Sequence, residues 1–219
     1  YSSVSGNTKE MVQLVDHVHE IGARVFAFID TPGSTLTQPG KSEHLIVYPV
    51  NEQLKFFMVC NYLMYKNGEF PEYERYNKEM EAHLAKGLAE VEKTSDEWAY
   101  NYAKEQFEFF VAHPDLPHYF VGSGTQYGAT YSYAMCYWEE MHWLRTKSIH
   151  SAEFFHGMLE IVDKDTPVTV FVSEDKQRPL GERVAKFLPR ICENYTIIDT
   201  KDYRLEGISE EYRGRVSHL

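Results

Sequence analysis

The feature that most constrains the fold is a unit of strand, Ser/Gly loop and helix at the start of the chain. The loop Ser5-Gly6-Asn7-Thr8 follows a short strand and opens a helical pattern of apolar residues over 9–21. The next predicted strand, residues 24–30, contains the continuous apolar run Val25-Phe26-Ala27-Phe28-Ile29. A run without alternation is typical of a strand covered on both faces in a parallel sheet. The unit therefore predicts an α/β fold.

A long helical segment separates this unit from a second α/β half. Helical patterning extends from residue 51 to about 113, with predicted breaks at 67–71 and near 94–95. In the second half the sequence predicts three strands, two helices and a loop. The strands are at 118–122, 168–172 and 195–198, the helices at 129–144 and 180–192, and the loop at 123–128. We therefore predict two domains, with residues 1–113 as the first subdomain plus the helical connection and residues 114–219 as the second.

The charge balance excludes several classes of partner. The 219 residues include 22 basic and 33 acidic side chains, a net charge of −11, and no Lys/Arg-rich run. We therefore expect neither nucleic acid nor a membrane surface as a partner. The longest apolar stretch, residues 56–65, is about half of the ~20 residues that a membrane span needs. Three widely spaced cysteines predict no disulfide framework, so we expect a reducing, cytoplasmic setting.

Hydroxyl side chains cluster around the first loop. Ser3, Ser5 and Thr8 flank Gly6 where a strand gives way to a helix. Such a turn brings backbone N–H groups, hydroxyls and the positive end of a helix together, which suits a phosphate monoester. An ordinary helix N-cap uses the same residue types, so this alternative stays open. The loop Ser123–Gly128 repeats the pattern and is alternatively a tight connection that requires glycine.

Glu140 is the candidate general base. It lies on a predicted helix that is apolar nearly all round, at helical spacing from Tyr137, Cys136 and Tyr133. Burial there would raise the pKa of this carboxyl toward the range that a general base needs. The alternative is a buried structural carboxylate paired with Arg or Lys. Glu139 points about 100° away on the helix and is expected to be solvated.

Two histidines follow this helix. His150 and His156 can titrate near neutral pH, and Glu153 lies between them. A structural role is the alternative for each histidine. Neither an HExxH motif nor a Cys/His clip accompanies them, so we expect no metal site. Tyr127 and Tyr131 are close enough in sequence to line a pocket, although aromatic residues most simply belong to the core.

Taken together, these motifs resemble the sugar isomerase (SIS) family. The resemblance depends on Ser3-Val4-Ser5-Gly6-Asn7-Thr8, on a Gly-Ser-Gly loop in the second half, and on Glu140 followed sixteen residues later by His156-Gly157. Residues 154–163 resemble, within the family, the fructoselysine 6-phosphate deglycase branch. The resemblance implies two three-layer α/β sandwich subdomains, each with a five-stranded parallel sheet. Family members have further segments before the phosphate loop and at the C-terminus, so we expect this chain to be truncated at both ends.

The resemblance also implies a role for each matching residue. Glu140 matches the enolising base, and His156 matches the histidine that assists ring opening, which the neighbouring subunit typically supplies. The 6-phosphate would be held by Ser3, Ser5, Gly6, Asn7 and Thr8. Further candidates for substrate contacts are Ser123, Gly124, Tyr127 and Glu153. The family implies no cofactor and a homodimer or higher homo-oligomer with shared active sites.

The predicted activity is a deglycase that converts a ketosamine 6-phosphate, such as fructoselysine 6-phosphate, into glucose 6-phosphate and a free amine. The route would be proton transfer through an enaminol, followed by imine hydrolysis. The alternatives are a deglycase for a 2-amino aldose 6-phosphate, an aldose-ketose isomerase, an aminosugar-phosphate deaminase, and a non-catalytic sensor of sugar phosphate. Asn51 and Glu52 are candidates for selecting the amine.

Overall fold

The computed structural model describes residues 1–49 and 52–219, except the side chain of Glu52. The chain forms two compact units, Tyr1–Tyr73 and Glu74–Leu219. These compact units are defined by contacts within the chain, whereas the predicted subdomains are those of the resembled family. The boundary predicted between residues 113 and 114 therefore stays a prediction. Asn51 and the side chain of Glu52, predicted to select the amine, lie outside the described part of the chain.

The first unit contains a parallel sheet. Its three strands, in spatial order, are β1 (Ser2–Ser3), β2 (Phe26–Ile29) and β3 (His44–Val47). Helix α1 (Lys9–Glu20) packs Val15 into the core, which also holds Ala27 and Ile29 of β2. Gly22, at φ +76°, follows the end of this helix in a conformation that favours glycine. The helix predicted over 9–21 and the strand predicted over 24–30 are therefore present, within a few residues of their predicted ends.

Three helices account for the long helical segment. They are α2 (Glu52–Lys66), α3 (Tyr73–Glu79) and α4 (Ala85–Ala112), with a π-helical turn at Met80–Leu84 before α4. The break predicted at 67–71 is confirmed, and Gly68 has φ +77° there. The break predicted near 94–95 is wrong. The Thr94 hydroxyl donates to the Glu90 carbonyl oxygen at 2.7 Å, so this β-branched residue is accommodated inside α4.

The second unit contains a four-stranded parallel sheet. Its strands are β4 (His118–Gly122), β5 (Thr146–His150), β6 (Val168–Val172) and β7 (Tyr195–Asp199), in spatial order β5-β4-β6-β7. Every residue of β4 is buried, which is typical of a strand inside a parallel sheet. The α/β fold with parallel sheets is confirmed. Among the described residues the two sheets have three and four strands, where the resemblance implied five each.

The second unit contains several further helices. Helix α5 (Thr125–Ser132) continues as a π-helix over Tyr133–Met141, and α6 (Arg178–Phe187) and α7 (Glu210–Arg213) follow later. Short 3-10 turns occur at Phe154–His156 and Met158–Glu160. The helix predicted at 129–144 therefore begins four residues earlier than expected. No helix in the described ranges has both the length and the apolar character needed to cross a membrane.

Candidate functional site

The first loop is a tight turn built around Gly6. This residue has φ +63°, and a Cβ atom placed on it would lie 2.0 Å from Ser34 Oγ. Only glycine therefore fits without a shift of the surrounding chain. The Gly6 backbone N–H donates to Ser3 Oγ at 3.1 Å, and the Asn7 N–H donates to Ser5 Oγ at 3.2 Å. Ser3 is buried and shapes the turn from inside, whereas Ser5 lies on its outer side.

The segment after β2 fixes the first loop from the opposite side. Asn7 Oδ1 accepts hydrogen bonds from the Thr35 backbone N–H at 2.9 Å and from the Thr35 hydroxyl at 2.8 Å. The Leu36 N–H donates to the Gly6 carbonyl oxygen at 3.0 Å. Ser34 is buried, and its hydroxyl makes no hydrogen bond with another described residue. A spare donor therefore lies directly against the turn.

The outer surface of the first loop is open. Ser5, Asn7 and Thr8 are all exposed, and α1 begins immediately after them. Thr8 occupies the N-cap position of α1 but makes no side-chain capping hydrogen bond. The hydroxyls and the first-turn N–H groups of a 12-residue helix are therefore available on one side of the turn. The structure brings the five predicted phosphate-binding residues together in this single turn.

The second loop also turns at a glycine with positive φ but has a different occupant. Gly124 also has φ +63°, and a Cβ atom on it would lie 2.0 Å from Asp175 Oδ2. That carboxylate accepts from the Thr125 N–H at 2.5 Å, while the Gly124 N–H donates to Gln177 Oε1 at 3.1 Å. Burial opposes ionisation of Asp175, but hydrogen bonds from the backbone N–H groups of Thr125 and Gln177 hold its pKa below the usual value. The chain's own carboxylate thus occupies the start of α5.

Glu140 lies on the exposed side of its helix. The buried positions of this helix recur every four residues, and Glu140 follows the last of them by two residues; they are Gln126, Thr130, Ala134 and Trp138. It therefore points away from the core, and the expectation that this carboxylate is buried is wrong for the chain described by itself. Among the residues at helical spacing from it, Tyr137 is exposed, whereas Cys136 and Tyr133 are partly buried.

His156 ends a 3-10 turn that Phe154 anchors in the core. The side chain of His156 is exposed and borders a cavity of about 390 Å³ that Glu153 also lines. Glu140 is not among the residues that line this cavity. Nearby, the Tyr127 ring meets the His150 ring edge-on, with 5.1 Å between the ring centroids. The structure therefore brings His156 and Glu153 together and leaves Glu140 outside their cavity. In the described part of the chain, no three His, Cys, Asp or Glu side chains are grouped to hold a metal ion.

Comparisons with known proteins agree with this architecture, although no protein-family model matches the chain. Fructosamine deglycase FrlB of Bacillus subtilis (strain 168) is 26% identical over 226 residues, covering 99% of this chain and 66% of that protein. A solved Bacillus subtilis structure described as a candidate phosphosugar isomerase is 26% identical and superposes over 100% of this chain and 66% of its own, with a TM-score of 0.77. This chain has the SIS fold. The predicted resemblance to the family is confirmed.

A further solved structure supports the SIS fold alone. A candidate phosphosugar isomerase of Salmonella typhimurium LT2 has a TM-score of 0.80 at 22% identity, covering 99% of this chain and 68% of its own. This chain spans 66% of the length of FrlB. Because the similarity covers nearly the whole chain, it applies to the fold of all the described residues.

Several residues that shape the two loops were missed from the sequence. Ser34 and Thr35 contact the first loop from about thirty positions away, and Asp175 reaches the second from fifty positions away. One available signal was the Pro32-Gly33-Ser34 turn directly after a buried strand, because polar side chains at the carboxyl end of a parallel strand commonly face a ligand. Asp175 carries no comparable local signal.

Proposed function

We propose that this protein is an SIS-type enzyme acting on a sugar phosphate, and specifically a deglycase for a ketosamine 6-phosphate. The observation that carries the proposal is the open first loop, where the hydroxyls of Ser5 and Thr8 lie beside the start of α1. A phosphate monoester offers acceptor oxygens to all of these donors at once. Anchoring the phosphate contributes positioning, so its loss should reduce turnover as well as affinity.

The proposed chemistry is a series of proton transfers. After the sugar ring opens with help from His156, Glu140 removes a proton from C1 of the ketosamine to give an enaminol. The proton returns at C2, which leaves an imine at C1. Water then adds to the imine and releases glucose 6-phosphate and the free amine. General acid–base groups of this kind contribute roughly 100- to 10,000-fold to a rate.

Two observations support a deglycase over the alternatives. FrlB, which is similar to this chain over 99% of its length, is named as a fructosamine deglycase. A sensor of sugar phosphate has no need for the carboxylate and imidazole of Glu140 and His156. An isomerase or an aminosugar-phosphate deaminase would use the same proton transfers, so substrate turnover must separate these activities.

We also propose a reducing, cytoplasmic setting, which the free cysteines Cys60, Cys136 and Cys192 support.

The deciding experiment offers the complete natural protein fructoselysine 6-phosphate and, separately, fructose 6-phosphate. A coupled dehydrogenase detects glucose 6-phosphate. We expect glucose 6-phosphate from the ketosamine. Turnover of fructose 6-phosphate alone would replace the deglycase with an isomerase, and binding of both without turnover would favour a sensor.

Variants test the assigned roles in the same assay. Glu140→Gln should lower kcat by roughly 100-fold or more while leaving the affinity for a 6-phosphosugar nearly unchanged. Glu139→Gln is the matched control, because this neighbouring carboxylate accepts only a hydrogen bond from the Thr146 hydroxyl, at 2.7 Å. The double variant Ser5→Ala/Thr8→Ala should weaken binding of any 6-phosphosugar. Normal turnover by Glu140→Gln would remove it as the base, and unchanged affinity in the double variant would remove the first loop as the phosphate site.

A further inference from the structure

The cavity beside His156 combines an apolar floor with charged walls. Its volume is about 390 Å³, within the ~300–1,000 Å³ typical of small-molecule sites. The apolar part is formed by Ile149, Met158 and Ile161, and the charged part by Lys147 and Glu153. A cation and an anion around an apolar surface suit a ligand that carries both charges on a hydrocarbon body.

Local structure fixes the positions from which these charges project. Lys147 and Ile149 are two residues apart on β5, so they lie on the same face of this edge strand. Glu153 and His156 are joined by a turn in which the His156 N–H donates to the Glu153 carbonyl oxygen at 2.8 Å. The Glu153 N–H in turn donates to the His150 carbonyl oxygen at 2.8 Å. The carboxylate and the imidazole are therefore presented by one rigid turn.

Neither charge is satisfied within the described chain. Across residues 1–49 and 52–219, the side chains of Lys147, Glu153 and His156 form no ion pair or hydrogen bond with another described residue. Elsewhere in the same unit, Arg178 pairs with Asp199 and with Glu182, and Arg213 pairs with Glu174. Ionic groups left free at a cavity are available to a ligand.

We propose that this cavity holds the amine half of the substrate, where Lys147 binds a carboxylate and Glu153 binds an ammonium group. The inference rests on the proposed function, which places the sugar's reacting carbons near His156. It identifies Lys147 and Glu153 as the residues that would select a ketosamine 6-phosphate made from an amino acid whose distal end carries both charges. Charge-assisted hydrogen bonds from Lys147 and to Glu153 would then select such an amine over a plain alkylamine.

Four substrates isolate the two charges. They are the ketosamine 6-phosphates of lysine attached through its side-chain amine, of cadaverine, of 6-aminohexanoate and of pentylamine. Relative to lysine, cadaverine lacks the carboxylate, 6-aminohexanoate lacks the distal ammonium group, and pentylamine lacks both. The measurement is kcat/KM for each substrate with the complete natural protein. We expect the lysine compound to exceed the pentylamine compound by at least tenfold.

Single charge-removing variants assign each contact. Lys147→Gln should lower kcat/KM about tenfold for the lysine and 6-aminohexanoate compounds and leave the cadaverine compound unaffected. Glu153→Gln should do the same for the lysine and cadaverine compounds and leave the 6-aminohexanoate compound unaffected. Lys164→Gln and Glu193→Gln are matched controls, because both side chains are exposed in the same unit and neither lines the cavity.

The outcomes separate this inference from the proposed function. If the wild type converts all four substrates with equal efficiency, the deglycase stands and the selection by Lys147 and Glu153 is overturned. The same holds if each variant slows all four substrates alike, as a lysine that only protects the edge of a sheet would do. If the wild type converts none of the four, the proposed function fails, and this inference fails with it.

Discussion

At the scale of single residues, His118 is a buried titratable group with a defined environment. Its ring is stacked on Phe120, with centroids 4.4 Å apart, and lies 4.7 Å from the Trp138 ring. Its Nε2 atom is 2.8 Å from Thr169 Oγ1. Burial lowers the pKa of His118 from 6.5 to about 3. The imidazole is therefore neutral at physiological pH and serves the core of the second unit.

This environment predicts how stability depends on pH. Because the folded pKa of His118 is below its unfolded value, the unfolded chain binds the proton more readily between pH 6.5 and 3. The free energy of unfolding should therefore be highest above pH 6.5 and fall by about 1.4 kcal/mol per pH unit through this window. His218, whose pKa burial lowers to about 4, contributes with the same sign.

Replacing His118 by Gln should remove the contribution of this histidine to the pH dependence of the free energy of unfolding. Urea unfolding at pH 7.5, 6.5, 5.5 and 4.5 gives the free energy of unfolding of wild type and variant. We expect the His118→Gln protein to be less stable than wild type at pH 7.5, since its ring packing is lost, and the difference to shrink as pH falls. A constant difference across the four pH values would contradict a neutral, buried His118.

At the scale of elements, the two Ser/Gly loops each turn at a glycine with the same φ angle but have different partners. Gly6 and Gly124 share φ +63°, and each precedes a helix. The first loop is open, whereas Asp175 closes the second by accepting hydrogen bonds at the start of α5. We therefore interpret Asp175 as an internal counterpart of the phosphate.

Removing the Asp175 carboxylate should open the second loop to an external anion. Asp175→Ala leaves the donors of Thr125 and Gln177 unpaired, which should cost about 1–3 kcal/mol of stability. In a Ser5→Ala/Thr8→Ala background, inorganic phosphate should then raise the Tm of the Asp175→Ala protein in proportion to the logarithm of its concentration.

A matched control for this prediction is Asp163→Ala. Asp163 also accepts hydrogen bonds from nearby backbone N–H groups, those of Asp165 and Thr166, but no helix begins there. Phosphate should therefore not rescue this variant. Equal rescue of the two alanine variants, or rescue of neither, would contradict the interpretation of Asp175.

Elements with a single strong signal could be predicted from the sequence, and those that depend on distant contacts could not. The strands β4 and β6 have their predicted bounds, because each is a short, mainly apolar and β-branched or aromatic segment between loop residues. β5 was missed because Thr146–His150 lacks a comparable run. The predicted burial of Glu140 was wrong because hydrophobic periodicity does not distinguish an apolar helix face that packs in the core from one that is exposed.

The candidate site divides in the same way. The first loop was predictable because its hydroxyls, glycine and following helix are contiguous in sequence. Asp175 and Thr35 contact loops that are distant in sequence. A short polar residue in a loop carries no sequence signal that identifies such a partner. Lys147 could likewise not be predicted as a site residue, because it joins His156 at one cavity only in the folded chain, where β5 and the turn at Phe154–His156 lie side by side.

At the scale of the whole molecule, the face that carries Glu140 is strongly apolar and uncovered. Tyr137, Met141 and Trp143 are 52%, 63% and 88% exposed, and they surround the candidate base in sequence. Apolar side chains concentrated on one exposed face are typical of a contact surface. This exposure supports the proposal of a homo-oligomer in which one subunit provides Glu140 and its neighbour provides His156.

Mixing two inactive variants tests this arrangement. Glu140→Gln and His156→Ala subunits, unfolded together and reassembled, should regain activity that neither protein has alone. With random pairing into dimers, about a quarter of the sites are intact, because half of the dimers are mixed and each has one complete site. Mixing Glu140→Gln with a Glu140→Gln/His156→Ala double variant should give no recovery. Absence of recovery in the first mixture would place both residues of each site in one subunit.

The end of the helix that carries Glu140 also has an optical consequence. Trp143 has φ +59°, a conformation that a bulky side chain rarely adopts, and its indole projects into solvent. The chain has three tryptophans, and Trp138 is enclosed in the core. An indole in water emits at longer wavelength than one that is enclosed, so covering this face would shift the intrinsic fluorescence toward the blue. The protein thus contains its own label for following the coverage of the surface beside its candidate base.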